Sequence, residues 1–168
     1  MHSTEDKAWW CKKGEALERK FVEKVVPLYG LDVTMNPDKG QDKYTHDLLF
    51  DGIPADLKFV QTPFFTAGKY GVNPDRAVTI NLKDIERYKK LYPNIVILFY
   101  VKWRKQEKFS VKVNAIEGLW AYPLEDLIAI TSESEIHSYK RRRGKSDGNA
   151  KASYVIELED TFKKKTPD

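Results

Sequence analysis

An α/β fold built on a mixed sheet is the class this sequence predicts, and three features predict it. Residues Gly14 to Tyr29 carry apolar groups at Leu17, Phe21, Val22, Val25, Val26, Leu28 and Tyr29, the spacing of one helical stripe. Asp51-Gly52 stands between two apolar runs, which signals a two-residue hairpin loop because glycine accepts the positive φ such turns need. The pattern then runs from a short strand, Ala77 to Asn81, through a helix, Leu82 to Leu91, to a long buried strand, Asn94 to Trp103.

Within the first helix the informative residue is Glu18. At about 100° per residue the stripe centres near Phe21 and Val25, and Glu18 lies within about 20° of Val25. It is a carboxylate in the middle of a buried face, which costs several kcal/mol unless it is protonated, paired or metal-bound. An ion pair with a lysine from the sheet is the plainer reading. Glu15 lies at the edge of the stripe and Glu23 opposite it. Gly14 falls on the stripe one turn earlier, where the missing side chain would let the helix approach the sheet closely.

The hairpin fixes a second set of charges. With Asp51 and Gly52 as the loop, Phe50 pairs with Ile53, Leu49 with Pro54 and Leu48 with Ala55, so Asp47 falls opposite Asp56. Opposed Cβ atoms are about 5 Å apart and like charges there repel, so a cation is expected between them. Alternation puts Asp47, Leu49, Asp56, Lys58 and Val60 on one face and Leu48, Phe50, Ala55, Leu57 and Phe59 on the other, an apolar packing side. Pro54 counts against a regular strand, since proline is tolerated mainly on edges, at strand starts or at bulges; it stands next to the turn, which leaves a one-residue slip of this register open. A solvated hairpin face is the bland alternative, which the third carboxylate, Glu18, makes less economical.

The remaining elements follow in order. Thr62 to Arg76, with Phe64, Phe65 and Tyr70, reads as a long loop beside the presumed site, functional or mobile rather than a passive connector, with aromatics that could instead plug the core. Arg104 to Glu107 reads as a turn and Phe109 to Asn114 as a partner strand. Pro123 to Ile130 reads as a short helix with proline in its first turn, and Ser153 to Leu158 as a late strand. Lys163 to Asp168 read as frayed. The 168 residues make one domain, with a core at about 14–116 and an extension at 117–168 that carries a basic loop at 139–151.

Composition narrows the function classes. The chain is 41% hydrophobic and 12% aromatic, which supports a folded core, and no apolar run reaches the ~20 residues of a membrane span. Cys11, the one cysteine, excludes an internal disulfide and a cysteine-cluster zinc site. His2, His46 and His137 are too scattered for a zinc centre. Without a secretory leader pattern at Met1-His2-Ser3, a reducing cytoplasm is the expected compartment. Net charge is only +4, yet Lys140, Arg141, Arg142, Arg143 and Lys145 form a dense run suited to neutralising phosphates. A solvated loop, or a dock for an acidic protein, is the alternative reading of that run; Tyr139 at its border could stack on a base or cap the core.

A helix with an inward Glu, an Asp on one strand and Asp-X-Lys on the next resembles the PD-(D/E)XK nuclease superfamily. The matching residues are Glu18 in GEALERKF, Asp47 in HDLLFDG, and Asp56 with Lys58 in ADLKFV; the approach GEALE looks most like the Holliday-junction-resolvase-like and restriction-endonuclease-like branches. His46 stands where the named motif has proline, and Asp56 where relatives often have Glu. The resemblance spans about the first 100 residues. It implies a restriction-endonuclease-like fold of order αβββαβ and a metal-dependent deoxyribonuclease, most simply an endonuclease, with DNA as partner and a homodimer as its usual form. Asp47, Asp56 and the backbone carbonyl of Leu57 would hold Mg²⁺ or Mn²⁺, ions that favour oxygen ligands. Glu18 would complete the shell, directly or through water, or help a second ion bind, and Lys58 would orient the attacking water or its hydroxide and stabilise charge on phosphorus. Gln61 is a weaker candidate for phosphate contact. The rival expectation is a non-catalytic nucleic-acid-binding module on the same scaffold.

Overall fold

Two apolar cores, one on each face of a six-stranded sheet, organise the protein. The computed structural model describes residues 7–39, 46–132, 136–138 and 152–167, with backbone alone at 7–13 and 136–138. Helix α1 (Lys7–Lys20) runs through a π-helical turn (Phe21–Val25) into α2 (Val26–Tyr29). Strands β1 (Val33–Met35), β2 (Leu48–Phe50) and β3 (Ile53–Val60) follow, then β4 (Ala77–Asn81), α3 (Leu82–Leu91) and β5 (Val96–Trp103). The chain continues through β6 (Gln106–Lys108), β7 (Val111–Val113), β8 (Ile116–Pro123) and α4 (Leu124–Ser132), and ends in β9 (Ile136–Ser138), β10 (Ala152–Glu157) and β11 (Lys163–Lys164).

The large sheet has the order β1-β2-β3-β5-β8-β11, and a small one the order β4-β10-β9. All neighbours in the large sheet are antiparallel except β3 and β5, whose parallel pairing aligns Asp56 with Ile97 and Lys58 with Phe99. A parallel pair needs a crossover, and β4 with α3 supplies it. The fold is therefore mixed α/β.

Strand β5 explains both cores. Ile97, Phe99, Val101 and Trp103 point to one side, where Ile85 and Tyr88 of α3 and Leu124 and Leu127 of α4 cover them; Leu98 and Tyr100 point to the other, against Phe21 and Val26. Covered on both faces, β5 reads as a continuous apolar run. Fully burying a side chain such as Phe99 contributes roughly 2–3 kcal/mol.

The hairpin follows its predicted register, with Leu48 opposite Ala55, Leu49 opposite Pro54 and Phe50 opposite Ile53. Asp51 at φ 48° and Gly52 at φ 77° form the two-residue loop with positive φ at both positions that matches strand twist. Strand β2 ends its pairing there. Beyond Asp56, the edge of β3 away from β5 has no strand partner among the described residues.

Several expectations are corrected. The helix already runs from Lys7, and the stripe does not stay straight: Phe21 and Val26 are buried five residues apart, whereas Leu17 and Leu28 are exposed. Pro27 has no N–H for the usual bond, and the Val26 N–H reaches back to the Phe21 carbonyl, a π-type spacing that rotates the apolar face. Gly14 makes no close approach, since a Cβ there would meet nothing within 4 Å. The turn after β5 lies at Phe109-Ser110, at φ 53° and 62°, so Gln106 and Glu107 belong to a strand and Phe109 sits exposed at the tip.

The core also does not stop near residue 116. Strand β8 lies between β5 and β11, β10 joins β4 to β9, and the supposedly frayed Lys163 and Lys164 pair with Trp120 and Leu119. Strand β8 escapes the alternation pattern because it is buried on both faces and interrupted by Gly118. That glycine makes room for a neighbour: a Cβ there would stand 2.8 Å from the Trp120 ring. In the Thr62–Arg76 loop, Phe65 is buried in the main core while Phe64 stacks on Tyr70 at 6.0 Å over Ala67, Ala77 and Val155, so these aromatics plug the core.

Candidate functional site

The end of β2 and the middle of β3 bring the predicted carboxylates together with partners from two other elements. Asp56 is 6% exposed, on the sheet face that α3 covers. Its Oδ1 accepts the main-chain N–H of Asp47 at 2.9 Å and its Oδ2 accepts the Tyr88 hydroxyl at 2.6 Å, the short distance expected of an O–H donor to a carboxylate. Burial first, and then Asp56, push the Tyr88 phenol well above its ordinary value, so it remains a donor. The Asp47 backbone thus ties the two opposed residues directly to each other.

Lys58 lies two residues along β3, on the same face. Its ammonium donates to Asp84 Oδ2 at 2.8 Å, and Arg87 stands 3.6 Å from Asp84 and 3.8 Å from Asp56. Asp84, Arg87 and Tyr88 occupy positions i, i+3 and i+4 of α3, hence one helical face, with Asp84 in the first turn where the helix dipole favours an anion. One face of α3 thus holds both Asp56 and Lys58.

Glu18 reaches the same region from α1. It is 9% exposed; Oε1 is 3.8 Å from Lys39 Nζ, and Oε2 is buried without a hydrogen-bond partner among the described residues. The Lys39 ammonium also pairs directly with Asp47 Oδ1. Burial raises the Glu18 carboxyl above its ordinary value, Lys39 opposes that rise, and Asp56 and Glu15 add to it. Glu18, Asp47 and Asp56 therefore form one electrostatic cluster with Lys39 as its ammonium.

Asn36, buried at the end of β1, presents Lys39 to that cluster. Its N–H donates to the Asp47 carbonyl at 3.1 Å, its side-chain amide donates to the His46 carbonyl at 2.9 Å, and its Oδ1 accepts the Asp38 N–H at 3.1 Å. An Asx turn of this kind caps the strand and sends the chain back over the site. His46 itself packs edge-on to Tyr92 at 5.1 Å, with both ring nitrogens buried and, among the described residues, without hydrogen-bond partners. Burial lowers its pKa against the opposing pull of Asp56 and Asp38.

Sequence reasoning did not find Lys39, Asn36, Asp84, Arg87 or Tyr88. Tyr88 carried a usable signal, since it falls one turn from Ile85 on a buried face and a buried hydroxyl needs a partner. Lys39, in a turn, carried none. Among the described residues no three His, Cys, Asp or Glu groups lie close enough to chelate one ion as they stand. Gln61 is exposed just past the end of β3. Lys140, Arg141, Arg142, Arg143 and Lys145, with Tyr139, lie outside the described residues. No described helix is long and apolar enough to cross a membrane. In comparisons with protein-family models, curated proteins and solved structures, nothing matches this chain.

Proposed function

We propose that this chain is a divalent-metal-dependent deoxyribonuclease, an endonuclease on a restriction-endonuclease-like scaffold, with Glu18, Asp47, Asp56 and Lys58 as its site. The observation that carries the reading is the buried, unpartnered Oε2 of Glu18 in one cluster with Asp47 and Asp56, with Lys58 two residues along β3. The order of elements supports the scaffold: a helix, three antiparallel strands, then a helix leading to a strand parallel to the third.

The donor set fits Mg²⁺ or Mn²⁺, since carboxylate oxygens suit hard divalent cations. Asp47, Asp56 and Glu18 would hold the ion, joined by the Leu57 carbonyl of β3, a strand whose outer edge beyond Ala55 has no strand partner among the described residues. When bound, it supplies a Lewis acid for the phosphate and lowers the pKa of a water. Asp56 keeps accepting capacity beyond its two hydrogen bonds, because a carboxylate has about four lone-pair sites. Tyr88 and Arg87 hold Asp56 in place. Lys58 orients the attacking water and stabilises the charge that develops on the phosphate, and Asp84 sets its position. Lys39 neutralises Asp47 and Glu18 and has to release them.

DNA is the partner we assign, with the basic run Lys140–Lys145 as a further phosphate contact and a homodimer as the working assembly. With a single cysteine, a reducing cytoplasm is the compartment we assign. The second reading, a nucleic-acid-binding module that does not cut, is favoured by the ion pairs that occupy both Asp47 and Lys58.

A panel of supercoiled plasmid, linear duplex, single strand, flap and four-way junction, with Mg²⁺, Mn²⁺ or chelator, separates the two. Metal-dependent cutting that is lost in Asp56→Ala is the expected result. Tight binding without cutting under every metal would overturn the catalytic reading.

A further inference from the structure

The second face of β3 opens onto a groove that the cluster around Asp56 does not use. Strand β2 covers only Ile53 to Ala55, so among the described residues the later part of β3 has no strand on its outer edge. Between that part and the first helix lies a cavity of about 460 Å³. Phe21, Phe59 and Tyr100 line it. The Phe59 and Tyr100 rings stack at 5.1 Å and 17°, and Phe21 leans on Tyr100 at 5.7 Å and 50°. Tyr100 is buried and Phe59 half-buried, and both line the cavity.

The rim is basic. Lys20 and Lys24 line the helix wall one turn apart and have no ion-pair partner among the described residues. Like charges at that spacing repel, and an anion between them would relieve the repulsion. Lys102 faces them across the groove, held weakly by Glu117 at 3.7 Å with both side chains 58% exposed. Gln61 and Lys102 also line an adjoining cavity of about 650 Å³ that adds Arg104, so the cationic track continues past the sheet end.

Aromatic rings flanked by lysines are the arrangement that binds single-stranded nucleic acid, with bases stacked on rings and phosphates on cations. The cavity falls in the ~300–1,000 Å³ range of small-ligand pockets, which suits one unpaired nucleotide at a time. Gln61 lies three residues beyond Lys58, about 10 Å along the strand. We propose that this groove binds an unpaired nucleotide of a single-stranded segment, its base against Phe59 and its phosphates between Lys20, Lys24 and Lys102. Its place beside a cutting site rests on the function proposed above; the binding itself does not.

The test is fluorescence anisotropy of labelled oligo(dT)12 in chelator, so that no cutting occurs and a failed nuclease reading leaves the result intact. Lys20→Glu/Lys24→Glu, both on the helix surface, should weaken binding tenfold or more. It should also lower the slope of log K against log salt by about 1.4, the value for two phosphate contacts on a single strand. Phe59→Leu should weaken oligo(dT) about tenfold and leave inorganic polyphosphate binding unchanged, because only a base stacks. Unchanged oligo(dT) affinity in the folded double-lysine variant would overturn the proposal. Equal competition by polyglutamate at matched charge would also overturn it, reducing the groove to a general anion patch.

Discussion

The main-chain N–H of Asp47 donates to Oδ1 of Asp56 across 2.9 Å, so two carboxylates opposed by the hairpin are joined by the backbone of one of them. The other Asp56 oxygen is held from α3 by Tyr88 at 2.6 Å. Asp56 is therefore a buried carboxylate fixed from two elements. Losing the hydroxyl strands part of its hydrogen-bonding capacity.

Tyr88→Phe should consequently destabilise the fold by about 2 kcal/mol, the usual worth of a hydrogen bond to a charged group. Ring packing is kept, so the loss belongs to the hydroxyl. Urea denaturation at neutral pH measures it; a loss below about 0.5 kcal/mol would mean that Asp56 finds an equivalent donor.

Lys39 holds Asp47 and Glu18 as ion pairs, so on the catalytic reading it would compete with the metal ion for them. Lys39→Met should bind Mn²⁺ at least about tenfold more tightly, equivalent to ~1.4 kcal/mol, because removing one ammonium removes a direct repulsion. Titration of free Mn²⁺ by electron paramagnetic resonance reads this without any substrate. Equal affinity in the two proteins would exclude Lys39 as a competitor.

Glu18 makes stability depend on pH in a defined direction. Its folded pKa lies above the ordinary 4.5, so the native state keeps the proton to higher pH than the unfolded chain does. Its contribution is fully present below 4.5 and is lost as pH rises through the folded value. Glu18→Gln does not titrate and should gain stability relative to the parent as pH climbs from 4.5 toward neutrality. His46 has the opposite sign: its folded pKa lies below 6.5, so its contribution holds above 6.5 and fades on acidification. That term is common to both proteins and cancels to first order in their difference. Denaturant midpoints across this range check it, and a difference flat with pH would remove Glu18 as the source.

Much of this architecture was readable where local chemistry decides it. The Asp51-Gly52 loop set the hairpin register, and β4 and α3 begin and end where periodicity changes from two to 3.6. Strand β8 was not readable, because burial on both faces erases alternation and Gly118 imitates a turn. At the site, Glu18, Asp47, Asp56 and Lys58 stood out by register and helical angle. Lys39 did not, since a turn residue approaches Asp47 only through the Asn36 hydrogen bonds that close the chain on itself. Asp84 and Arg87 look like ordinary surface charges of α3 until β3 is placed beneath them.

Lys58 carries the sharpest prediction of the catalytic reading. Its 2.8 Å bond to Asp84 places the ammonium on the face of β3 that carries Asp56. Lys58→Met keeps the length of the side chain and deletes the charge. Cleavage should fall by roughly 10²–10³-fold or more, the usual cost of losing one preorganised donor to a developing charge. DNA affinity measured in chelator should stay nearly unchanged, since one contact among several phosphate contacts contributes little to it. Asp84→Asn should give a smaller loss in rate, because Lys58 keeps its charge but loses its anchor. A fully active Lys58→Met would refute the role of Lys58, and equal losses of binding and cleavage would make it a DNA anchor with no part in the chemical step.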